Sequence, residues 1–304
     1  MIDETLVSVV IVTYNEERAL ARLLRTLTTQ DYRNYEVIIV DNASNSSVRN
    51  LAEAHGARYL DSTRNLGYTG GNNLGVSRAT GRFILILNAD TWLAPKSLER
   101  MVQAFSEHGA RCVVVVPKIM IRDSDKINSI GMRRFHKRAN LYANIGYLET
   151  DHGQYDSPSR VEAFDGAAFM FRRALLHETF LFNPFYFWGE ESTDLAERIR
   201  LLRYEIWTCP ESVVRHEIHA TFHGDPSALR ARPVLIANNL AHTLTNMGVT
   251  STLLTALTLV HFSLVRIRQR QLIDAKQCAR GIFRFVLSLG RILKSTSDLR
   301  SSVQ

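Results

Sequence analysis

Contiguous apolar runs occupy residues 6–12 (interrupted by Ser8), 37–40, 83–87 and 112–116. Runs of this kind predict strands buried on both faces, the usual state of central parallel strands. Arg58-Tyr59-Leu60 adds a short third strand. Between the runs the period changes. Leu20, Leu23, Leu24 and Leu27 recur at helical spacing, and polar residues 41–47 can cap a helix from about Val48 to His55. A Gly/Asn-rich turn opens a helix through Leu74 to Ala79. Pro95 is placed to start another helix ending near Gly109, and Pro117 to close the strand at 112–116. Strand-helix alternation over residues 1–117 predicts a doubly wound α/β unit with a mostly parallel sheet. Thr13-Tyr14-Asn15 stands where a dinucleotide fold would carry Gly-x-Gly-x-x-Gly, which argues against that class.

The alternation breaks down over residues 118–160 into short strand-like pieces, scattered aromatics and the basic residues Arg133, Arg134, Lys137 and Arg138. Order returns at Phe164-Asp165-Gly166-Ala167, a turn before a strand. Further on, Phe185-Tyr186-Phe187-Trp188-Gly189-Glu190-Glu191 leads into a helix from Thr193 to about Arg203. Two short strands follow, at 205–207 before Pro210 and at 213–216. These elements extend the first unit to about residue 227. Residues 228–304 read as a helical tail, with segments near 229–247, 250–268 and 275–294.

Composition sharpens the reading of the tail. The chain has 304 residues and a formal net charge of +7. Residues 1–248 hold 28 Lys/Arg against 28 Asp/Glu, whereas residues 249–304 hold 9 against 2, so the tail carries the whole excess. Such a patch suits an anionic partner. No nucleic-acid recognition module accompanies it, which disfavours nucleic acid. Residues 249–265 lack formal charge but include several Thr and Ser, a poor membrane span. In the last segment Ile282, Phe283, Phe285, Val286, Leu289, Ile292 and Leu293 form a broad apolar face beside Arg280, Arg284, Arg291 and Lys294. That pattern favours a helix lying in an anionic membrane interface, with packing on the domain or in a homo-oligomer as the alternatives. Cys112, Cys209 and Cys278 have neither zinc-like spacing nor the number for a disulfide framework, which suggests a reducing, cytoplasmic setting. The opening Met-Ile-Asp-Glu does not resemble a signal peptide.

Candidate chemistry collects at the predicted strand ends, where open α/β sheets bind their ligands. Asp90, two residues past the 83–87 strand, suits a hard cation, Mg²⁺ or Mn²⁺, with substrate phosphates completing its shell. Asn88 and Ala89 precede it, and Asn88 is suited to sugar or ribose hydroxyls. Asp41 ends the second strand and can accept the imide N–H of a pyrimidine base. Thr13, Tyr14 and Asn15 can line base and ribose. The glycine-rich turn at 67–71 permits close backbone approach, Asn65 and Gly67 are nucleotide-binding candidates within and beside it, and Asn72 or Asn73 is placed for diphosphate or sugar. Asp165, Gly166, Ala167 and Trp188 are candidates for a donor-sugar or acceptor wall. Glu191 or Glu190 can take the proton of an acceptor hydroxyl. His216 can join Asp90 on the cation or contact phosphate. Zinc on His216, His219 and His223 is disfavoured, since no His-Glu-x-x-His pattern accompanies them.

Taken together these segments resemble an inverting family 2 glycosyltransferase of GT-A type, in its rhamnosyltransferase-like branch. The marks are VVIVTYN at 9–15, VDNAS at 40–44, NLG at 65–67 with GGN at 70–72, and LNAD at 87–90. FDGA at 164–167, WGEE at 188–191 and VRH at 214–216 continue them in order. The resemblance implies a GT-A fold and a nucleotide-sugar donor such as dTDP-rhamnose, UDP-hexose or UDP-N-acetylhexosamine. It implies a glycan or lipid-linked saccharide acceptor, Asp90 on the metal with His216 as an additional ligand, and Asp41 on the nucleobase. The family usually shows Glu-Asp followed by an apolar residue and Asp-Leu, and here Glu190-Glu191-Ser192-Thr193-Asp194-Leu195 departs from it. Counting from Trp188-Gly189 makes Glu191 the base, with Glu190 in reserve. A non-catalytic nucleotide-sugar or glycan-binding scaffold and a nucleotidyltransferase are the other classes considered.

Overall fold

The structure is a computed structural model that describes residues 5–44, 48–136, 141–217, 226–257 and 272–302. Strands β1 (Val7–Thr13), β2 (Tyr35–Asp41), β3 (Arg58–Asp61) and β4 (Phe83–Asn88) alternate with helices α1 (Glu17–Thr28), α2 (Val48–Ala54) and α3 (Gly67–Val76). Then come β5 (Thr91–Leu93), α4 (Ser97–Glu107), β6 (Cys112–Ile121) and the short strands β7 (Ile127–Ser129), β8 (Met132–His136), β9 (Leu141–Asn144) and β10 (Arg160–Val161). Strand β11 (Ala168–Arg172), a 3₁₀ turn, α5 (Glu191–Leu201) and β12 (Glu205–His216) complete the α/β part. The main sheet has the order β10-β12-β6-β11-β4-β1-β2-β3, with β5 on β12 and β7 on β6. Its pairs are parallel except at β10, β11, β5 and β7.

Side-chain alternation divides the apolar runs between two cores. Val7, Val9, Ile11, Phe83, Leu85 and Leu87 face α1 and α4, while Val10, Ile84 and Ile86 face the side that holds Leu195 and Ile199 of α5. Helix α3 lies close on β1. A Cβ on Gly75 would stand 2.4 Å from Val10 Cγ1, and one on Gly71 would stand 2.7 Å from Val12 Cγ1. These glycines of the 67–75 stretch therefore serve helix–sheet contact. At Gly67, φ is +72° and a Cβ would meet the Phe187 carbonyl oxygen.

Several expectations are corrected. Strand β6 does not stop at Pro117 but continues to Ile121. Pro117 pairs with Cys209 at a register irregularity, where its missing N–H is tolerated. The same irregularity makes the two strands expected at 205–207 and 213–216 one strand, β12, that bulges around Pro210. Helix α5 begins at Glu191, two residues before the expected start.

In the tail, α6 (Pro226–Met247), α7 (residues 249–257) and α8 (Leu272–Ser302) are helical. The rest of the expected second segment lies outside the described residues. Ile282, Phe285, Leu289 and Ile292 of α8 pack with Ala237, Leu240 and Ala241 of α6 and with Tyr186. The broad apolar face is thus split between the two alternatives, part of it packed on the domain while Phe283, Val286, Leu287 and Leu293 remain exposed. No helix among the described residues is long and apolar enough to cross a membrane.

Candidate functional site

One edge of the sheet gathers nearly every candidate. Thr13, Asp41 and Asn88 end the parallel strands β1, β2 and β4, and Thr13 lies opposite Asp41 in register. Strand β11 runs antiparallel to β4, so its entrance, Asp165-Gly166-Ala167, meets the exit of β4. The Asn88 N–H donates to the Ala167 carbonyl at 2.9 Å. Strand β12 is parallel to β6 and delivers His216 to this same edge.

Asp90 and His216 meet there. His216 Nε2 lies 3.3 Å from Asp90 Oδ1, and the Glu217 N–H donates to the Asp90 carbonyl at 3.0 Å. Burial alone would lower the His216 pKa. The hydrogen bond and charge of Asp90, then the charges of Asp165 and Glu16, outweigh it and raise the pKa. His216 Nδ1 is buried and has no hydrogen-bond partner among the described residues. An imidazole and a carboxylate in contact are a donor pair that Mn²⁺ or Mg²⁺ accepts, although manganese takes imidazole more readily. Two protein ligands with substrate phosphates completing the shell is the usual pattern for such ions. No group of three or more His, Cys, Asp or Glu side chains forms a metal site among the described residues. His219 and His223 lie outside them.

At the β2 end, the Ser44 N–H donates to Asp41 Oδ1 at 2.8 Å and the Tyr59 hydroxyl to Oδ2 at 2.9 Å. Asp41 is therefore held in one orientation. Asn15 is left-handed, with φ of +58°, and its N–H donates to Ser44 Oγ. Tyr14 is exposed, and Thr13 Oγ1 is buried without a partner among the described residues. Asn65 serves the turn itself, since its Oδ1 accepts from the Gly67 N–H and from Asn42 Nδ2. Asn42, which sequence reasoning did not single out, is the hub of this turn and also accepts from the Leu66 N–H. Asn72 Nδ2 donates to the Tyr68 carbonyl, leaving its Oδ1 buried and unpartnered among the described residues. Asn73 is engaged by the Phe182 backbone, donating from Nδ2 to its carbonyl and accepting its N–H at Oδ1. Ala89 is buried.

Glu191 is the first residue of α5 and only 7% exposed. A Cβ on Gly166 would stand 3.3 Å from its Oε1 and 3.1 Å from the Tyr68 hydroxyl, so three elements converge. Tyr68 was not foreseen, though it sits directly after the turn glycine. Its hydroxyl donates to the Gly166 carbonyl at 2.5 Å. Burial, then the charges of Glu191 and Asp165, hold its pKa well above the ordinary phenol range. Burial pushes the Glu191 carboxyl up to about 7, with Glu190 and Asp165 adding to the shift while backbone N–H groups oppose it. Glu191 Oε2 is buried without a partner among the described residues. Glu190 is differently placed, because its carboxylate accepts from the Thr193 hydroxyl at 2.7 Å. Asp165 accepts from the Ala167 N–H and from Asn128 Nδ2. Its charge acts on both His216 and Glu191, which joins the two ends of the site. Trp188 is half-buried, with its carbonyl engaged by α6.

A doubly wound sheet with this order, an antiparallel β11 inserted beside β4 and an acid-bearing turn after β4, is the GT-A fold of nucleotide-diphospho-sugar transferases. The chain belongs to glycosyl transferase family 2, which it matches over residues 8–180. It is 23% identical over 213 residues to the low-salt glycan biosynthesis hexosyltransferase Agl10 of Haloferax volcanii, covering 69% of this chain and 66% of that protein. It is 35% identical over 111 residues to the undecaprenyl-phosphate 4-deoxy-4-formamido-L-arabinose transferase of Aeromonas hydrophila, covering 34% of each. Among solved structures, GalNAc-T7 with UDP, GalNAc and Mn²⁺ is similar with a TM-score of 0.64 and 20% identity, over 79% of this chain and 48% of that one. S. aureus TarS 1–349 in complex with UDP is similar with a TM-score of 0.54 and 16% identity, over 84% and 72%. The chain thus spans between a third and two-thirds of the length of these two curated relatives.

Proposed function

We propose that this protein is an inverting glycosyltransferase that moves a sugar from a nucleoside-diphosphate donor to a hydroxyl of a glycan or lipid-linked saccharide. The observation that carries the reading is Glu191, a buried carboxyl with a pKa near 7 and a buried, unpartnered oxygen, at the same sheet edge as Asp90 and His216. A base poised near neutrality is matched to taking a proton from an attacking hydroxyl. A non-catalytic scaffold has no use for a carboxylate kept buried at this cost.

In the proposed reaction the acceptor oxygen forms its bond to the anomeric carbon as the bond from that carbon to the donor phosphate oxygen breaks. Glu191 receives the acceptor proton, and the nucleoside diphosphate leaves with the bonding electrons. Attack opposite the leaving group inverts the centre. Asp90 and His216 would hold a divalent cation, whose charge would stabilise that building on the departing diphosphate. Asp41, oriented by Tyr59 and Ser44, is placed to accept a pyrimidine imide N–H, and Thr13 and Tyr14 flank the base and ribose. Asp165, Gly166 and Ala167 face the donor sugar between the two ends. The UDP held by TarS and GalNAc-T7 favours a uridine donor, with dTDP-rhamnose as the alternative that the rhamnosyltransferase-like motifs suggest.

The exposed residues of α8 complete the proposal. Phe283, Val286, Leu287 and Leu293 form a stripe at helical spacing, flanked by exposed Arg280, Arg284, Arg291 and Lys294. Such a face fits an anionic bilayer, which would keep a cytoplasmic enzyme beside a lipid-linked acceptor.

The test is a donor panel of UDP-hexoses, UDP-N-acetylhexosamines and dTDP-rhamnose with Mn²⁺ or Mg²⁺, read as released nucleoside diphosphate. One donor should be turned over, and Glu191→Gln should lower turnover by about 10²–10⁴-fold while nucleotide affinity is kept. Full turnover in Glu191→Gln would remove Glu191 from the chemistry.

A further inference from the structure

The backbone that delivers Glu191 is bent sharply. Gly189 has φ of +82° and Glu190 of +70°, two successive left-handed residues, the second of them not glycine. Such a turn persists only where its surroundings hold it. The holder comes from the helical tail. Asn238 Nδ2 of α6 donates to the Trp188 carbonyl at 2.9 Å and to the Gly189 carbonyl at 3.1 Å. Asn238 itself is 4% exposed. One turn earlier, Leu235 lies so close that a Cβ on Gly189 would stand 2.4 Å from its Cδ2.

Contacts continue down the same helical face. Asn238, His242 and Asn246 are spaced by four residues, which stacks them along one side of α6. His242 Nδ1 stands 3.7 Å from Glu190 Oε2 and 3.4 Å from Thr193 Oγ1. Asn246 Nδ2 donates to Asp194 Oδ1 at 2.8 Å. A polar stripe of period four in a packed helix is legible in the sequence only once its partner is known. That partner is the Trp188–Glu190 turn and the first turn of α5.

We infer that Asn238 is a positioning residue for Glu191: its two N–H donations fix the turn from which the proposed base enters the site, so the helical tail is part of the catalytic apparatus. The inference rests on the reading of Glu191 as base. Among the described residues, the charged and titratable groups that face Glu191 or its turn include Tyr68 from α3, Asp165 at the entrance of β11, Glu190 on the turn, and Tyr186 and, from α6, His242 beside Glu190. Loss of the Asn238 hold relaxes the turn and lets water reach Glu191, which reduces the burial that raises its pKa.

The experiment uses the full chain with the donor found by the panel. Asn238→Ala is compared with Asn238→Ser, which keeps one donor, Asn238→Asp, which sets an acceptor against two carbonyls, and Thr243→Ala. Thr243 is buried on α6, and among the described residues its hydroxyl bonds the Asn239 carbonyl of its own helix, so its variant reports loss of helix stability without loss of the turn contact. Expected for Asn238→Ala are a kcat at least tenfold lower, a donor KM within twofold, and an acidic limb of the kcat–pH profile at least half a pH unit lower. Asn238→Ser should fall between wild type and alanine, and Asn238→Asp below alanine. Thr243→Ala should change neither kcat nor the limb. If Asn238→Ala keeps kcat, or lowers it without moving the limb, or if Thr243→Ala shows the same loss of kcat and the same limb shift, the positioning role is overturned. If Asn238→Ala does not fold, the serine variant carries the same comparison. Glu191→Gln, run in parallel, separates the failures: full activity there sinks the base reading itself, whereas an inactive Glu191→Gln with an unmoved Asn238→Ala limb sinks only the positioning role.

Discussion

Replacing Glu191 by Gln should make the protein less active and more stable at once. The carboxyl titrates near 7 in the folded chain against an ordinary glutamate value near 4.5. A shift of this size corresponds to about 3 kcal/mol of penalty on the ionised form. The sign follows from linkage. The folded chain holds the Glu191 proton more tightly than the unfolded chain, so the group's favourable contribution is complete below pH 4.5 and is lost as pH rises through 7. Glutamine resembles the protonated acid and carries no such charge. Glu191→Gln should therefore be stabilised at pH 8 by up to about 3 kcal/mol, a net figure that already includes the opposing backbone N–H groups at the start of α5. For a chain of this size that is an increase of several degrees in Tm. At pH 4.5 the two proteins should melt within a degree of each other. Transfer should fall by about 10²–10⁴-fold, the usual contribution of a positioned base. Thermal denaturation at pH 4.5, 6 and 8, with turnover measured on the same preparations, decides the matter. If the variant's stability advantage over wild type is no larger at pH 8 than at pH 4.5, the argument that Glu191 is held ionised against its surroundings is refuted.

Asp90→Asn should leave the fold intact but weaken nucleotide binding in the presence of Mn²⁺ at least tenfold, with little change in its absence; isothermal titration with and without the metal checks this. Gly75→Ala should cost about 1–3 kcal/mol despite alanine's better helix propensity, because the added methyl meets Val10 Cγ1 at 2.4 Å and α3 must lift from β1; urea denaturation reads it, and an unchanged midpoint would contradict the close approach. Phe283→Ser with Leu287→Ser should abolish flotation with phosphatidylglycerol liposomes without changing Tm, since the two side chains are 64% and 67% exposed. A change in sedimentation instead of flotation would assign the face to a second copy of the chain.

The strands were readable because burial on both faces leaves an uninterrupted apolar run that no surface segment tolerates. The edge at which Thr13, Asp41, Asn88 and Asp90 cluster followed from parallel topology alone. The glycines illustrate the opposite case. Residues 67–71 read as a place for ligand to approach backbone, yet Gly71 and Gly75 have neighbours from β1 in the space a Cβ would take, a fact of helix–sheet distance that no local pattern encodes. Pro117 read as a strand end for a similar reason: whether a missing N–H terminates a strand depends on the register of its neighbour, and β12 bulges at that point.

Local chemistry along the chain was thus enough to place a doubly wound sheet and the edge at which the candidate residues gather, because those depend on apolar periodicity and on residue type at strand ends. It preferred Glu191 by counting from Trp188-Gly189 and kept Glu190 in reserve, but did not show how differently the two are surrounded. Folding settled their different surroundings by engaging the first with Thr193 and His242 and burying the second beside Tyr68 and Gly166. Nor did it show that α6 grips the turn between them. Both depend on segments distant in sequence meeting in space, and the free energy of a buried charge is a property of everything that surrounds it.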